Sequence, residues 1–166
     1  FSRRRLKAKW RSPPVQPPIA LRSRLKAPPA LFVAGETVDK AKVIATMNEA
    51  LAMELASALK YLAWSFNVFG PTRKPIVEHF LEEAKESFDH ATMLGDKIVA
   101  LGGKPMVKAE VPKPAEGMTV DDMLKLAVEN ERAALAIYSK LLDMVQDETH
   151  LRVLFENQIE AEQEHF

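Results

Sequence analysis

The segment ENQIEAEQEHF contains a glutamate and a histidine three positions apart, Glu162 and His165. On an α-helix this spacing places the carboxylate and the imidazole one turn apart on a single face. A carboxylate oxygen and an imidazole nitrogen together suit divalent ions such as Fe²⁺, Mn²⁺ or Zn²⁺. The pair therefore predicts half of a metal site, and the other ligands must come from other segments.

Three apolar stripes at helical spacing each carry a glutamate near the middle, Glu54, Glu131 or Glu162. The stripes are Ile44, Met47, Leu51, Glu54, Ala58, Tyr61 and Leu62; Leu124, Ala127, Val128, Glu131, Leu135, Tyr138 and Leu142; and Leu151, Phe155, Ile159, Glu162 and Phe166. Buried carboxylates are costly without a cation, and no Lys or Arg lies on these stripes. The acids are predicted to surround bound metal; the alternative is that they face solvent or stay protonated.

A di-iron bundle takes one Glu from each of two helices and a Glu-x-x-His pair from each of the other two. The second pair should lie in EEAKESFDHATML, where His90 is at the matching depth but Ser87 stands in place of the glutamate. A hydroxyl is neutral and short, so it does not bridge two metals as a carboxylate does. Glu83, one turn before Ser87, is the nearest replacement, and the site is expected to hold one metal, or two weakly.

Capping and breaking signals divide the chain after Glu36 into four predicted helices. Thr37 is a candidate first cap, and Thr119 with Asp122 forms a predicted capping box. The fourth helix is expected to continue beyond Phe166. The predicted helices cover about residues 38–69, 72–101, 119–145 and 149–166.

The connection between the second and third predicted helices, residues 102–118, is long and contains three prolines. At ~3.3 Å per residue it reaches ~56 Å, whereas a helix of ~27 residues is only ~40 Å long. It can therefore cross the whole bundle. We predict an all-α, ferritin-like four-helix bundle with one long crossover between helices two and three.

From about Met47 to Phe166 the chain resembles bacterioferritin and its ferritin-like relatives. MNEALAMELASALKY is similar to the first helix of that family, and DHATMLGDKIVALGGKP to the end of the second. The resemblance places the family's bridging glutamate on Ser87 and its haem-binding methionine on Phe88, so haem is not expected. It implies a tyrosine beside the metals at Tyr61 and iron ligands at Glu54, His90, Glu131, Glu162 and His165.

Residues 1–35 form a separate segment with six prolines, nine basic residues and no acidic one, while the rest of the chain has 14 basic and 23 acidic residues. This composition predicts an extended basic arm before a bundle at residues 36–166. The arm is expected to contact RNA, an acidic protein or an anionic membrane surface. It also resembles organelle-directing segments, which favours the mitochondrial matrix over the cytoplasm.

Two functions remain open at this level. One is a bacterioferritin-like iron protein with a degenerate ferroxidase-type centre, in which Mn or Zn could replace iron. The other is a non-catalytic accessory subunit that the arm anchors in a large assembly or self-oligomer; nucleic-acid protection is a weaker third class. The absence of Cys excludes thiolate sites, and no apolar run has the length of a membrane span. His79 is predicted to be a surface histidine or one whose hydrogen bonds are satisfied within the fold.

Overall fold

The computed structural model describes residues 38–110 and 117–164, and every structural statement below concerns these ranges. They contain helices and no strand, which confirms the predicted all-α four-helix bundle. The basic arm, the middle of the crossover and His165 lie outside the described residues, so predictions about them remain predictions. The helices are α1, Lys40–Ser65; α2, Arg73–Ala100; α3, Val120–Met144; and α4, Thr149–Glu164.

The helix ends show local side-chain capping. Asp39, rather than the expected Thr37, precedes α1, and its side chain accepts a hydrogen bond from the Lys42 amide. The predicted capping box of Thr119 and Asp122 is present at the start of α3. The first helix ends at Ser65, four residues before the predicted end, because polar side chains satisfy its last carbonyl groups.

The helices pack as two connected pairs, α1 with α2 and α3 with α4, and α1 also contacts α3. Short turns link the members of each pair, so those members run antiparallel. The connection that follows α2 begins by packing against α1. There, Asn48 of α1 accepts a hydrogen bond from the Met106 amide (2.6 Å) and donates one to the Lys104 carbonyl (3.3 Å). At Gly103 a Cβ atom would lie 2.8 Å from Ile44, so this close approach favours glycine.

The interior contains two apolar clusters with polar residues between them. One cluster includes Leu94 and Phe155, and the other includes Trp64 and Phe80. Most stripe positions are buried or half-buried, but Leu62, Leu124 and Val128 are exposed, contrary to the expectation for a core stripe. No helix in the described ranges is long and apolar enough to span a membrane.

Candidate metal centre

Three potential ligands from three different helices meet between the apolar clusters. His90 of α2 lies between Glu54 of α1 and Glu162 of α4, with its Nδ1 atom 3.6 Å and 3.2 Å from the respective Oε1 atoms. One ligand atom from each residue lies within 4.8 Å of the others. Both carboxylates are only 3% exposed. This arrangement is a compact, buried group of one nitrogen and two oxygen donors.

The third predicted acid, Glu131 of α3, lies beside Glu162 and is 8% exposed. Tyr61 of α1 donates a hydrogen bond from its hydroxyl to Glu131 Oε1. The three glutamates therefore converge in the interior, at the level that their stripes indicated. Their assignment as metal ligands, with Tyr61 as the neighbouring tyrosine, remains a prediction.

Ser87 also lies at this level, where the family's bridging carboxylate was expected. It lines a small space together with Glu54, Ser57, His90 and Glu131. The space measures about 10 Å³ and admits roughly one water molecule. The absence of a carboxylate at position 87 therefore coincides with closely packed surroundings, without a large void.

Tyr138 also lies at the centre, although the sequence predicted it only as a member of an apolar stripe. Its hydroxyl donates a hydrogen bond of 2.5 Å to Glu54 Oε1, and its side chain is fully buried. The segments ELASALKY in α1 and ERAALAIY in α3 both place a tyrosine seven residues after a central glutamate. This repeated spacing was the available signal. Each tyrosine donates to the glutamate of the other helix.

The buried charges shift the proton affinities of the centre. Burial, together with neighbouring Glu131 and Glu54, raises the pKa of Glu162 to about 8, although its hydrogen bond with His90 opposes the change. Burial alone would lower the pKa of His90, but hydrogen bonds and attraction from Glu162 and Glu54 outweigh it and raise this pKa to about 10. The pKa values of both tyrosines are raised, mainly by burial. At neutral pH, His90 therefore carries a proton between two acids.

These residues fit a divalent cation. A cation between Glu54 and Glu162 would replace the proton on His90 Nδ1 and offset the carboxylate charge in a dry interior. The donor set of one imidazole and several carboxylates suits Fe²⁺, Mn²⁺ or Zn²⁺. The tyrosine hydroxyl groups would hold the carboxylates in fixed orientations, as hydrogen-bonding partners commonly do around metal ligands.

Comparisons with known proteins agree with this geometry. The model of the ferritin-like domain family matches residues 44–166. A bacterioferritin from Desulfovibrio desulfuricans is 29% identical over 136 residues, which cover 80% of this chain and 75% of the relative. Its crystal structure, described as containing a diiron site, aligns with a TM-score of 0.69 at 30% identity, covering 80% of this chain and 78% of that one.

Two further solved structures have the same fold. A ferritin-like diiron-carboxylate protein from Bacillus anthracis gives a TM-score of 0.71 at 29% identity, covering 78% of this chain and 93% of that one. A dodecameric thioferritin from Bacteroides fragilis gives 0.68 at 23% identity, with coverages of 76% and 81%. The second likeness supports the fold alone.

Proposed function

Because this chain belongs to the ferritin-like domain family, we propose that it is a bacterioferritin-like iron-binding protein with a degenerate ferroxidase-type centre. The observation that carries the proposal is the buried Glu54–His90–Glu162 group, in which three ligand atoms from three helices lie within 4.8 Å of one another. Bacterioferritin from Desulfovibrio desulfuricans, a relative at 30% identity, has a diiron site. Ferrous iron is the proposed substrate.

Iron binding at this centre would displace the protons of both His90 and Glu162, since His90 Nδ1 faces Glu54 and Glu162. Glu54 supplies negative charge that attracts the ion, Glu162 adds to it once its proton is lost, and Tyr138 fixes the orientation of Glu54. The apolar clusters on either side limit the access of water. Electrons would then pass from Fe²⁺ to oxygen or peroxide, the chemistry implied by resemblance to the family.

The proposed weakness of this oxidation arises at Ser87. The hydroxyl is neutral and nine-tenths buried, and the space beside it admits about one water molecule. Without a carboxylate here, the attraction for a second ferrous ion next to the first is reduced. We therefore expect retained iron binding and slow oxidation that needs two ferrous ions.

Metal content tests the iron-binding proposal. The full chain is stripped of metal, dialysed against Fe²⁺ under nitrogen and analysed by inductively coupled plasma mass spectrometry. We expect at least one iron per chain, and Glu54→Gln should lower the value, whereas Glu82→Gln, an exposed change of equal charge, should not. Much less than one iron per chain in the unmodified protein would contradict the proposal.

A second candidate function is an accessory subunit, and Ser87 is the observation that favours it. In this alternative the ferritin-like fold is retained for assembly, and the basic residues 1–35 anchor it in a larger complex, proposed here to be in the mitochondrial matrix. Deletion of residues 1–35 should release the bundle from its partner and leave it helical by circular dichroism. Copurification that survives the deletion would exclude the anchoring role.

We also propose that the chain forms an oligomer. Several large apolar side chains are exposed on the described surface, among them Phe66, Phe69 and Phe88, and a relative with the same fold is a dodecamer. Light scattering after gel filtration should give a mass several times that of one chain. A monomer at micromolar concentration would contradict this part of the proposal.

A further inference from the structure

The side-chain amide of Asn130 in α3 has two ends with different surroundings. Its Oδ1 atom accepts a hydrogen bond of 2.6 Å from the Nζ atom of Lys60 in α1. Its Nδ2 atom is buried and has no acceptor among the described residues. Because an ammonium group only donates hydrogen bonds, Lys60 requires the amide oxygen and keeps the NH₂ group on the other side. The orientation of the buried donor is therefore fixed by a contact of its own.

The Tyr61 hydroxyl is a neighbour of this amide but does not satisfy it. Asn130 opposes the rise in the Tyr61 pKa, because the two groups are close. The hydrogen bond between them is not complete, since Nδ2 lacks an acceptor, and Tyr61 directs its own proton to Glu131. A buried donor without an acceptor is costly, and most such groups in proteins are paired with protein or with ordered water. Asn130 therefore calls for a further acceptor.

Asn130 borders the small space beside Ser87, whose volume is about 10 Å³. Ser57 of α1 and Ser87 of α2 border the same space and are only 8% and 9% exposed. Within the described residues neither hydroxyl has a hydrogen-bond partner. Helices α1, α2 and α3 thus each place an uncharged polar group around a space that has the size of one water molecule.

The chemistry of these groups selects the occupant of the space. An amide NH₂ group presents hydrogen atoms, so it disfavours a cation beside it. Glu54, Glu131 and Glu162 also line the space, and their carboxylates disfavour an anion. The occupant must be neutral, must accept a hydrogen bond from Asn130, and has carboxylates within the same lining to which it donates. Water meets these conditions, since a buried water typically makes about three hydrogen bonds.

We propose that Asn130, Ser57 and Ser87 bind one buried water molecule at the level where the family pattern has a carboxylate, and that Lys60 orients Asn130 for this contact. The water belongs to the metal-free protein, so the inference goes beyond the proposed function and does not depend on iron binding. Through this water the polar centre extends from the glutamates to Lys60. Ser87 is then a binding residue for the water as well as the position of a missing glutamate. Neither Ser57 nor Asn130 belongs to the ligand set implied by the family resemblance.

The test compares melting temperatures of the metal-free full chain with and without Ser87→Val. Valine fills the space and leaves no room for the water, so the buried NH₂ group of Asn130 loses its acceptor. The melting temperature should therefore fall by about 2–4 °C. In an Asn130→Leu background no donor is left unpaired, and Ser87→Val should leave the melting temperature unchanged or raise it, as the filling of a cavity does. The helix propensity of valine is the same in both backgrounds, so the comparison cancels it.

A higher melting temperature for Ser87→Val in the otherwise unmodified chain would overturn the water site, and so would an equal fall in both backgrounds. X-ray diffraction from crystals of the metal-free protein is the second measurement. An ordered water about 2.7–3.2 Å from Asn130 Nδ2 and within hydrogen-bond distance of a serine hydroxyl would support the site. A space without ordered water would overturn it. Failure of this inference would leave the iron-binding proposal intact, because iron content is measured separately on the metal-loaded chain.

Discussion

The two halves of the polar centre begin from the same local pattern and end with different partners. In α1 and in α3 a central glutamate is followed seven residues later by a tyrosine, and each tyrosine donates to the glutamate of the opposite helix. Around Glu54, the neighbouring helices α2 and α4 add His90 and Glu162. Around Glu131, helix α2 contributes Ser87, and the predicted ligand His165 lies outside the described residues.

This difference shows that the same glutamate–tyrosine motif in two helices does not by itself give the two helices the same set of potential metal ligands. The carboxylate and its tyrosine donor are present twice, because both helices carry the same spacing. The metal affinity expected for each half depends on the residues that α2 and α4 place beside its glutamate, since a buried carboxylate needs a cation or several hydrogen-bond donors. The Glu54 half has a protonated imidazole at 3.6 Å, and under the proposed function a metal ion would replace that proton.

His90→Ala should disrupt the Glu54 half and cause the largest loss of both stability and Fe²⁺ affinity. It removes a ligand and leaves Glu54 and Glu162 buried without their common partner, a change that typically costs about 3–5 kcal/mol. The melting temperature of the metal-free protein should fall, and Fe²⁺ affinity should drop by on the order of 100-fold. Isothermal titration calorimetry and thermal unfolding measure these effects. His150→Ala, at an exposed position, is the control, and equal behaviour of the two variants would show that His90 is not a ligand.

Tyr138→Phe and Tyr61→Phe compare the halves directly. Each variant removes the hydroxyl that donates to one buried carboxylate, so each should destabilise the metal-free protein by about 1.5–3 kcal/mol. Tyr138 holds Glu54, so its loss should also lower affinity for the first metal ion by about 10–100-fold. Tyr61→Phe should change that affinity less. Equal losses of affinity in calorimetry would mean that the halves are not distinct.

Ser87→Glu should make the weaker half resemble the family pattern. We expect the initial rate of oxygen-dependent Fe²⁺ oxidation, followed by ferric absorbance, to rise on the order of ten-fold, equivalent to about 1.4 kcal/mol. The same substitution should destabilise the metal-free protein because it adds a buried acid. Ser87→Gln is the control: glutamine has nearly the same shape as glutamate but no charge, so this variant should show no gain in oxidation rate. A rate that does not change in Ser87→Glu would refute the assignment of position 87.

The proton affinities of Glu162 and His90 also predict how the stability of the metal-free protein depends on pH. The folded pKa values of Glu162, about 8, and His90, about 10, exceed their ordinary values of 4.5 and 6.5. Folding therefore favours the protonated forms, and this stabilisation is complete below about pH 4.5 and is lost as the pH rises through 8 toward 10. The metal-free protein should melt about 2–4 °C lower at pH 9 than at pH 6 for each kcal/mol lost.

Metal should reverse this trend, because ligands bind metal in their deprotonated forms and affinity rises with pH. The increase in melting temperature caused by Mn²⁺ should be larger at pH 8 than at pH 6 for the unmodified chain. His90→Ala should lose the His90 contribution to the pH dependence and most of the Mn²⁺ effect, but it should keep the contribution of Glu162, whose pKa is raised mainly by burial. A metal-free protein that becomes more stable from pH 6 to pH 9 would contradict the proton affinities described here.

Much of the fold could be predicted because its signals are local. The capping box at Thr119 and the apolar periodicity of α3 depend on residues three or four positions apart, and both were recognised. The end of α1 was not, because hydrogen bonds from Ser65 and Asn67 to the last carbonyls compete with another helical turn. Leu62 and Val128 fit an apolar stripe, but neither is covered by a neighbouring helix within the described chain.

The sequence by itself determined four amphipathic helices and the presence of three acids at apolar positions, because helical periodicity and the cost of buried charge act within each segment. Only the tertiary structure decided that His90 lies between Glu54 and Glu162 and that Tyr138 donates a hydrogen bond to a glutamate 84 residues away. The reason is physical: a helix fixes which face a side chain occupies, but the packing of separate helices fixes what that side chain meets.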